Sequence, residues 1–372
     1  MQFSVSSADL KEQLSVINGA ISSNPILPIL EDFLFQIEDE VLTISATDNH
    51  TFMSCSMNIQ ADSNCSIAIP AKILLDTLKQ LPNQPLTFKV DESTFSVIIT
   101  SQYGQYRLAG EDGNDFPLTP QADNVEAIDV SSTTLLEGIN KTLFATSNND
   151  SQIAMTGVFM QLEKTNLTFV ATDAHKLVKY GFEQSDNSVE GAFILPKKAL
   201  NLLKNALSNT SNDVKMSFNA TNAMFSFDNL SLACRLIDET YPNYGAVIPT
   251  NNPNVMSISR ADLLNSLKRL ANYTNKTTNQ VKLDIVDGKL QIEAEDLDFS
   301  NKATETLSCF YNGDPMTIGF NAKFLIEMLN TIGGENVRLE LSTPNRAGIL
   351  RNEESLDGED LLMLVMPVML NM

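Results

Sequence analysis

Two residues near the middle of the chain, Asp173 and His175, are of the types that general acid–base catalysis uses. A histidine titrates close to neutral pH, and a neighbouring carboxylate is able to orient its ring. The sequence has one further histidine, His50, which also follows an aspartate, Asp48, by two residues. A third related segment has Asp296 at the same place. A pair that recurs in this way is typical of a structural turn, so we predict no catalytic residue here.

Sequence motifs of the common enzyme classes are missing as well. The chain contains no Walker loop, no GxSxG nucleophile elbow and no HExxH zinc motif. Its four cysteines lie far apart, without a CxxC pair, so we expect buried thiols and no zinc site. The acidic turns at Asp173 and Glu295–Asp296 leave one alternative open, a hydrolase that uses a divalent metal ion. Carboxylates without other metal-binding side chains do not predict a metal site, and we predict neither a metal nor a cofactor.

Composition limits the class of protein. Hydrophobic residues make up 43% of the 372 residues, which is typical of a globular chain of two or three domains. No apolar stretch approaches the roughly 20 residues that span a bilayer, and the start lacks a signal pattern, so we expect a cytoplasmic protein. The formal charge of −21 alone argues against nucleic acid, because DNA affinity comes mainly from lysine and arginine. The distribution of positive charge must therefore decide.

One order of segments occurs three times along the chain. Each copy has a capped amphipathic helix, then an alternating strand that ends in an aspartate, then a short strand that leads into a second helix. The landmarks are Leu10, Leu135 and Leu263 in the first helix, Asp48, Asp173 and Asp296 after the strand, and Lys72, Lys198 and Lys323 at the second helix. We predict α+β domains at residues 1–125, 126–249 and 250–372, with helices on antiparallel sheet and edge strands paired between copies.

Lysine at the start of the second helix recurs in every copy. Positive residues on helices that cross a DNA backbone touch phosphates without reading bases, which suits sequence-independent contact. The predicted DNA-contacting residues are Lys72, Lys141, Lys197, Lys198, Lys268, Arg269 and Lys323. A lysine near a helix start is also ordinary solvated surface, and it is the threefold recurrence that favours the DNA interpretation.

Four segments, together with the threefold period, make the sequence resemble the bacterial sliding clamp family over its whole length. They are Pro25–Leu30, Ala171–Leu177, Tyr241–Tyr244 and Val365–Val368. The resemblance implies two chains joined head to tail in a six-domain ring, with antiparallel sheets outside and helices lining a central hole. It also implies a non-catalytic protein that encircles duplex DNA and tethers the replicative polymerase. A separate ATP-driven loader would open the ring.

The resemblance further implies a groove between the second and third copies, into which partner proteins insert a short peptide. Expected partners are the polymerase catalytic subunit, the clamp loader and repair proteins. The matching positions are Met155, Thr172, His175, Leu177, Pro242, Val247, Leu364, Met366, Pro367 and Val368. Methionine and leucine suit such a groove, because they adapt to different anchors. The methionines near the end also fit a helical core stripe, but Pro367 and the alternation around it favour an extended segment.

The ring contact is expected to involve Tyr106 and Leu108 of the first copy and Tyr273 of the third. The alternation around Tyr106 and Leu108 is equally typical of a strand that faces its own core. Two positions depart from the family, since Asn24 stands where an arginine is frequent and Met369 where a basic residue is common. A binding scaffold that never touches DNA is the remaining alternative, and its binding would not fall with salt.

Overall fold

A computed structural model of the chain describes residues 1–22, 25–120, 126–183, 189–208, 210–354 and 358–370. Asn24 lies outside the described residues. The chain forms two compact units, one made of Met1–Leu136 and Lys198–Leu236, the other of Glu137–Lys197 and Ile237–Met372. The middle copy contributes to both units, and the predicted domain limits near residues 125 and 249 stay predictions.

The described part of each copy carries two α-helices. The first copy contains β1 (Gln2–Ser6), α1 (Ser7–Ile17), β2 (Asp32–Glu38), β3 (Val41–Thr47), β4 (Thr51–Asn58), β5 (Gln60–Ala61), β6 (Cys65–Pro70), α2 (Ala71–Gln80), β7 (Pro85–Asp91), β8 (Ser96–Thr100), β9 (Gln105–Ala109) and β10 (Glu111–Asp112). The second contains β11 (Glu126–Ser131), α3 (Ser132–Thr142), β12 (Gly157–Leu162), β13 (Asn166–Thr172), β14 (Lys176–Glu183), β15 (Gly191–Pro196), α4 (Lys197–Leu207), β16 (Asp213–Phe218), β17 (Asn222–Phe227) and β18 (Leu230–Arg235). The third contains β19 (Asn254–Ser259), α5 (Arg260–Leu270), β20 (Gln280–Val286), β21 (Lys289–Asp296), β22 (Asn301–Leu307), β23 (Phe310–Asn312), β24 (Met316–Asn321), α6 (Ala322–Thr331), β25 (Asn336–Leu341), β26 (Gly348–Asn352) and β27 (Glu359–Val365).

Polar side chains fix where several helices begin. Ser6, Ser259 and Asn321 each accept a hydrogen bond from a backbone N–H in the first turn of α1, α5 and α6. Such caps satisfy amide groups that have no partner inside the helix. The predicted lysines Lys72 and Lys323 occupy the second position of their helices, as the period required.

All paired strands in the described chain run antiparallel. The first unit has a five-stranded sheet, in the order β5-β1-β7-β8-β9, and a nine-stranded sheet, in the order β10-β6-β2-β3-β4-β18-β17-β16-β11. The second unit has a nine-stranded sheet, in the order β15-β12-β13-β14-β27-β26-β25-β19-β23, and a four-stranded sheet, in the order β22-β21-β20-β24. The predicted α+β class with antiparallel sheets is confirmed.

Each nine-stranded sheet crosses a junction between copies. Strand β4 of the first copy pairs with β18 of the second, and Phe52 lies opposite Ala233. Strand β14 of the second copy pairs with β27 of the third, and Leu177 lies opposite Leu364. The predicted edge pairing between copies is therefore confirmed at both internal junctions, where it removes exposed strand edges.

Apolar residues one helical turn apart face the core, as the periodicity predicted. In α1 they are Leu10, Leu14 and Ile17, which are fully buried.

All four cysteines are free, and Cys55 and Cys234 are buried, which raises the pKa of each thiol to about 12. Cys65 and Cys309 are half-buried, so the expectation of four buried thiols was wrong for these two. None of the described helices is long and apolar enough to cross a membrane.

Candidate functional site

A buried apolar cluster lies beneath the predicted groove in the second unit. It consists of Val170, Leu177, Ile194, Tyr241, Ala347, Ile349, Leu362 and Leu364. Successive side chains of a strand point to opposite faces, and the registers of β13, β14 and β27 bring four of these residues, Val170, Leu177, Leu362 and Leu364, to the same face of one sheet. The Tyr241 hydroxyl donates to the carbonyl of Val170 at 3.3 Å, and its ring stacks on Phe159 at 4.8 Å.

The ten predicted groove residues divide into a floor and a rim. Leu177 and Leu364 are each only 2% exposed and belong to the floor, as does Thr172, which is 7% exposed. The rim residues are more open: Val247 is 56% exposed and Met366 is 41% exposed. His175 and Pro242 are exposed, and Met155, Pro367 and Val368 are half-buried. Because the floor is closed, a ligand here meets the rim first.

The chain end docks on the same unit in an extended form. The Met366 N–H donates to the carbonyl of His175 at 2.9 Å, and the Val368 N–H donates to the carbonyl of Gly319 at 2.8 Å. Gly319 lies on the edge strand β24, and a Cβ there would meet the Val368 carbonyl oxygen at 2.6 Å. The close approach requires a glycine. The prediction of an extended, docked tail is confirmed.

Sequence analysis missed a buried lysine beside the rim. Lys176 is 5% exposed, and its Nζ lies 2.9 Å from Asp173 Oδ2 and 3.1 Å from Glu327 Oε2. The same Nζ lies 4.4 Å from the ring centroid of Phe324, on which the His175 ring also stacks at 6.2 Å. A buried ammonium must be paired, and this pairing fixes the surroundings of His175. The sequence signal that could have predicted this buried lysine is an ionisable residue at an inward-facing position of an alternating strand.

Aspartate in each acidic turn binds the backbone. Asp173 Oδ1 accepts the N–H groups of His175 and Lys176 at 3.0 and 2.9 Å. Asp48 Oδ1 accepts the corresponding N–H groups of His50 and Thr51 at 2.9 and 2.7 Å. These carboxylates shape a turn, as the recurrence predicted, and the Asp173 bond goes to the backbone of His175 and not to its ring.

The predicted DNA-contacting residues differ in how free their charges are. Lys72, Lys268 and Lys323 are exposed and make no ion pair among the described residues. Lys198 Nζ lies 2.6 Å from Asp48 Oδ2 and donates to the Ala20 carbonyl at 3.0 Å. Burial opposes the charged form of Asp48, but hydrogen bonds from Lys198 and from backbone N–H groups outweigh it and lower the pKa of its carboxyl.

Three further predicted residues are engaged inside the second unit. Arg269 donates to both carboxylate oxygens of Glu305, at 2.8 and 2.6 Å. Lys141 Nζ donates to the Thr331 carbonyl at 2.9 Å, and Lys197 Nζ donates to Asn148 Oδ1 at 2.9 Å. A surface lysine or arginine that already has such a partner must give up that hydrogen bond before it binds a phosphate. Within the described residues, Lys72, Lys268 and Lys323 thus keep exposed ammonium groups without an ion pair, whereas Lys141, Lys197, Lys198 and Arg269 are engaged.

The predicted ring-contact residues lie at or near free sheet edges. Strand β9, which carries Tyr106 and Leu108, is an edge of the five-stranded sheet. Tyr106 is half-buried and lines a surface cavity of about 930 Å³ with Lys72, Ile73 and Tyr103. Leu108 is only 9% exposed, so its side chain packs against its own core, the alternative that the alternation left open. Tyr273 is 44% exposed.

Models of one protein family match three consecutive segments that together cover nearly the whole chain. The model of the DNA polymerase III beta subunit N-terminal domain matches residues 1–120, that of the central domain matches 129–243, and that of the C-terminal domain matches 245–368. The beta sliding clamp of Synechococcus elongatus is 27% identical, over 97% of each chain. That of Vibrio cholerae is 24% identical, over 100% of each chain.

Solved structures share the fold. A DnaN sliding clamp (DNA polymerase III subunit beta) from Bartonella birtlesii, bound to griselimycin, has a TM-score of 0.94 and 25% identity, with 100% of each chain covered. A putative DNA polymerase III beta subunit from Eubacterium rectale has a TM-score of 0.93 and 23% identity, with 99% of each chain covered. Since three domain models match in chain order and leave only short gaps, this chain belongs to the DNA polymerase III beta subunit family.

Proposed function

We propose that the chain is a DNA sliding clamp, a non-catalytic processivity factor that closes around duplex DNA as a head-to-tail dimer. It tethers the replicative polymerase and other DNA-processing proteins to their template in the cytoplasm. Membership of the sliding-clamp family argues against the alternative of a metal-dependent hydrolase. The observation that carries the proposal is the way in which strands pair at the two internal junctions.

The internal junctions follow one rule. The strand after the acidic turn of one copy, β4 or β14, pairs with the last long strand of the next copy, β18 or β27. The strand that corresponds to β4 and β14 in the third copy is β22, and it is an edge of its sheet. The strand that corresponds to β18 and β27 in the first copy is β9, and it is also an edge. Pairing of β22 with β9 of a second chain would repeat the rule, and two such contacts close a ring.

Apolar side chains accompany both free edges. Near β9, Ile73 is 56% exposed and Tyr103 is 71% exposed. Leu297 and Phe299, just before β22, are 80% and 72% exposed. Exposed aromatic and aliphatic residues of this kind mark a protein interface and tend to dominate its affinity. In the proposed ring Tyr106 and Tyr273 belong to the same contact, whereas Leu108 contributes through its backbone.

Contact with DNA is proposed to be weak and independent of sequence. The exposed ammonium groups of Lys72, Lys268 and Lys323 are suited to phosphates, while the overall charge of −21 repels DNA from the rest of the surface. A ring holds DNA by topology, so strong contacts are unnecessary. Binding of linear duplex should therefore be weak and should fall with salt, which separates a clamp from a scaffold that never touches DNA.

The groove in the second unit is proposed to receive short peptides of the polymerase catalytic subunit, the clamp loader and repair proteins. Its apolar floor and its rim residues Val247, Met366 and His175 support this assignment. A fluorescent peptide from a replicative polymerase should bind, and Val247→Ser with Met366→Ser should weaken it about tenfold or more. Both positions are exposed, so the variant should keep its melting transition. Unchanged affinity would contradict the groove assignment.

Retention on DNA tests the proposal as a whole. Protein loaded on a nicked circle by a matching ATP-driven loader should remain through a high-salt wash, in which phosphate contacts are screened. Cutting the circle should release it. The measured quantity is the fraction of protein that stays on DNA before and after linearisation. Equal retention on circular and linear DNA would contradict the sliding-clamp assignment.

A further inference from the structure

A second apolar surface lies on the first copy, near β10, an edge strand of the nine-stranded sheet in the first unit. Ile26 is 97% exposed, Leu27 is 49% exposed and Leu118 is 89% exposed. They lie within three residues of Ile29 and Phe116, which pack together in a small buried cluster completed by Leu34 and Ala68. Large apolar side chains that remain exposed around such a cluster mark a candidate interaction site.

This cluster corresponds residue by residue to the wall of the peptide groove. Leu34, Ala68 and Phe116 precede the groove residues Phe159, Ile194 and Tyr241 by 125, 126 and 125 positions. The registers agree as well, since Leu34 pairs with Ala68 as Phe159 pairs with Ile194. Exposed apolar residues occur near both clusters, Ile26 and Leu118 near this one and Ile153 and Val247 near the groove, although their spacings of 127 and 129 positions differ slightly from the period. The first copy thus repeats the design of the groove wall.

A buried carboxyl distinguishes the first copy from the groove. Asp32 precedes Leu34 by two residues on β2 and therefore shares its face, where it is 6% exposed. Its carboxylate has neither a cation nor a hydrogen-bond donor as partner within the described residues. Glu111 pairs with Ala68 and lies on the same face, and Glu31 is adjacent in sequence. Burial, together with repulsion from Glu111 and Glu31, raises the pKa of Asp32 to about 7.

An arrangement of this kind favours a cation from outside. A buried carboxylate without a partner is costly, and a lysine or arginine that reached Asp32 would supply the missing charge. Phosphate groups would be repelled by the carboxylates of Glu31 and Glu111 and by the charged form of Asp32, which argues against DNA at this surface. A second copy of this chain, with a net charge of −21, is a poor match for the same reason.

We propose that this surface, made of Ile26, Leu27 and Leu118 beside Asp32, docks a segment of a partner protein that carries an apolar anchor next to lysine or arginine. The anchor covers the exposed apolar side chains, and the cation reaches the carboxyl groups of Asp32 and Glu111. The surface shares no residue with the groove, and a partner at each would let one chain hold two proteins.

Two labelled nine-residue probe peptides test the proposal. Both carry a Leu-Phe anchor, followed by Arg-Lys in one and by Glu-Glu in the other. Fluorescence anisotropy with the full chain should show saturable binding of the basic probe, about tenfold or more tighter than binding of the acidic one. Equal affinity for the two probes, or no saturable binding of the basic probe up to millimolar protein, would overturn the proposal.

Matched variants locate the binding. Ile26→Ser with Leu118→Ser removes exposed side chains only, and it should weaken the basic probe about tenfold while its melting transition stays unchanged. The control, Ile153→Ser with Val247→Ser, alters the groove rim in the same way and should leave the basic probe unaffected. Loss of binding in the control alone would assign the probe to the groove and overturn the proposal. So would a sedimentation coefficient that changes only in the first variant, since the occupant would then be a second copy.

Asp32→Asn separates the charge from the anchor. Asparagine keeps the shape of the side chain without its charge, so the basic probe should lose most of its advantage over the acidic one. The polymerase peptide should bind this variant as it binds the unaltered chain. A preference for the basic probe that survives Asp32→Asn would show that the carboxyl plays no part, and would overturn the charge recognition proposed here.

Discussion

The ammonium of Lys198 lies 2.6 Å from the carboxylate of Asp48, so the second helix of the middle copy is held to the acidic turn of the copy before it. Lys198→Met should destabilise the chain by about 1 kcal/mol or less, because the lysine side chain is partly exposed. The slope of log DNA affinity against log salt should stay unchanged. Urea unfolding and salt titrations of DNA binding measure the two effects.

The matched control is Lys268→Met, which removes an exposed lysine that has no ion pair in the described chain. It should leave stability unchanged and make the salt slope shallower by about 0.9 for each phosphate that the lysine neutralised.

Since the pKa of Asp48 is lowered, its contribution to stability is present at neutral pH and is lost as the pH falls below about 4. A shallower salt slope in Lys198→Met would return Lys198 to the DNA-contacting residues.

Asp32 predicts the opposite dependence on pH. Its folded pKa of about 7 lies above its ordinary value of 3.8, so the folded state binds a proton more tightly than the unfolded state. Stability therefore rises as the pH falls through 7, and the charged carboxylate costs stability above it. Asp32→Asn should raise the melting temperature at pH 8, and the gain should shrink as the pH is lowered to 5. A gain that does not depend on pH would contradict this account.

Lys176 should matter for both stability and peptide binding. Lys176→Met leaves Asp173 without its buried partner and should cost about 1–3 kcal/mol. Peptide affinity should also fall, because Lys176 lies over Phe324, on which His175 stacks at the rim. Lys179→Met is the control, since that lysine is 30% exposed and forms a longer pair with Asp360. Equal effects of the two variants would argue against a special role of the buried lysine.

Gly319 tests the docking of the chain end. An added methyl group would meet the Val368 carbonyl oxygen at 2.6 Å, so Gly319→Ala should push the tail from β24. Peptide affinity should fall, because Met366 and Pro367 lie on that tail. Gly333→Ala is the control, since a Cβ there meets nothing within 4 Å. Carboxypeptidase digestion should remove the tail faster in Gly319→Ala alone, and equal digestion rates would contradict the prediction.

Period and alternation were sufficient to predict the fold of the copies and the extended tail. The threefold spacing predicted the acidic turns and the second helices, and alternation predicted the docked segment around Pro367. What it could not predict were contacts between distant residues. Lys198 and Asp48 are separated by 150 residues, and the sequence around neither residue indicates that they form an ion pair. The period predicted where the lysines would lie along the chain. It could not predict which of them would already be paired with a carboxylate in the folded protein.

The site near β9 shows the same limit for apolar residues. Alternation places Tyr106 and Leu108 on the same face of β9 but could not decide whether a partner or their own core covers that face. In the fold Leu108 is buried and Tyr106 lines an open cavity, so the two residues have different surroundings. The difference depends on which strand lies beside β9, and that is a property of the assembled sheet.

The proposed ring contact provides the last prediction. Tyr106→Ala with Tyr273→Ala removes one aromatic residue from each face of the contact between β9 and β22. At micromolar concentration the unaltered chain should sediment as a dimer, and this variant should shift toward monomer, since aromatic anchors dominate such interfaces. Phe310→Ala is the matched control, because Phe310 is 67% exposed but lies on β23, at the edge of a different sheet.

Strand pairing allows a second test of the same contact. If β9 pairs with β22 of a second chain, amide hydrogens along β22 should exchange more slowly in the dimer than in the Tyr106→Ala, Tyr273→Ala variant. The strands β14 and β27, which are paired inside one chain, should be protected equally in both. Protection of β22 that is the same in monomer and dimer would mean that this edge stays free, and the rule of the internal junctions would then not extend to the ring.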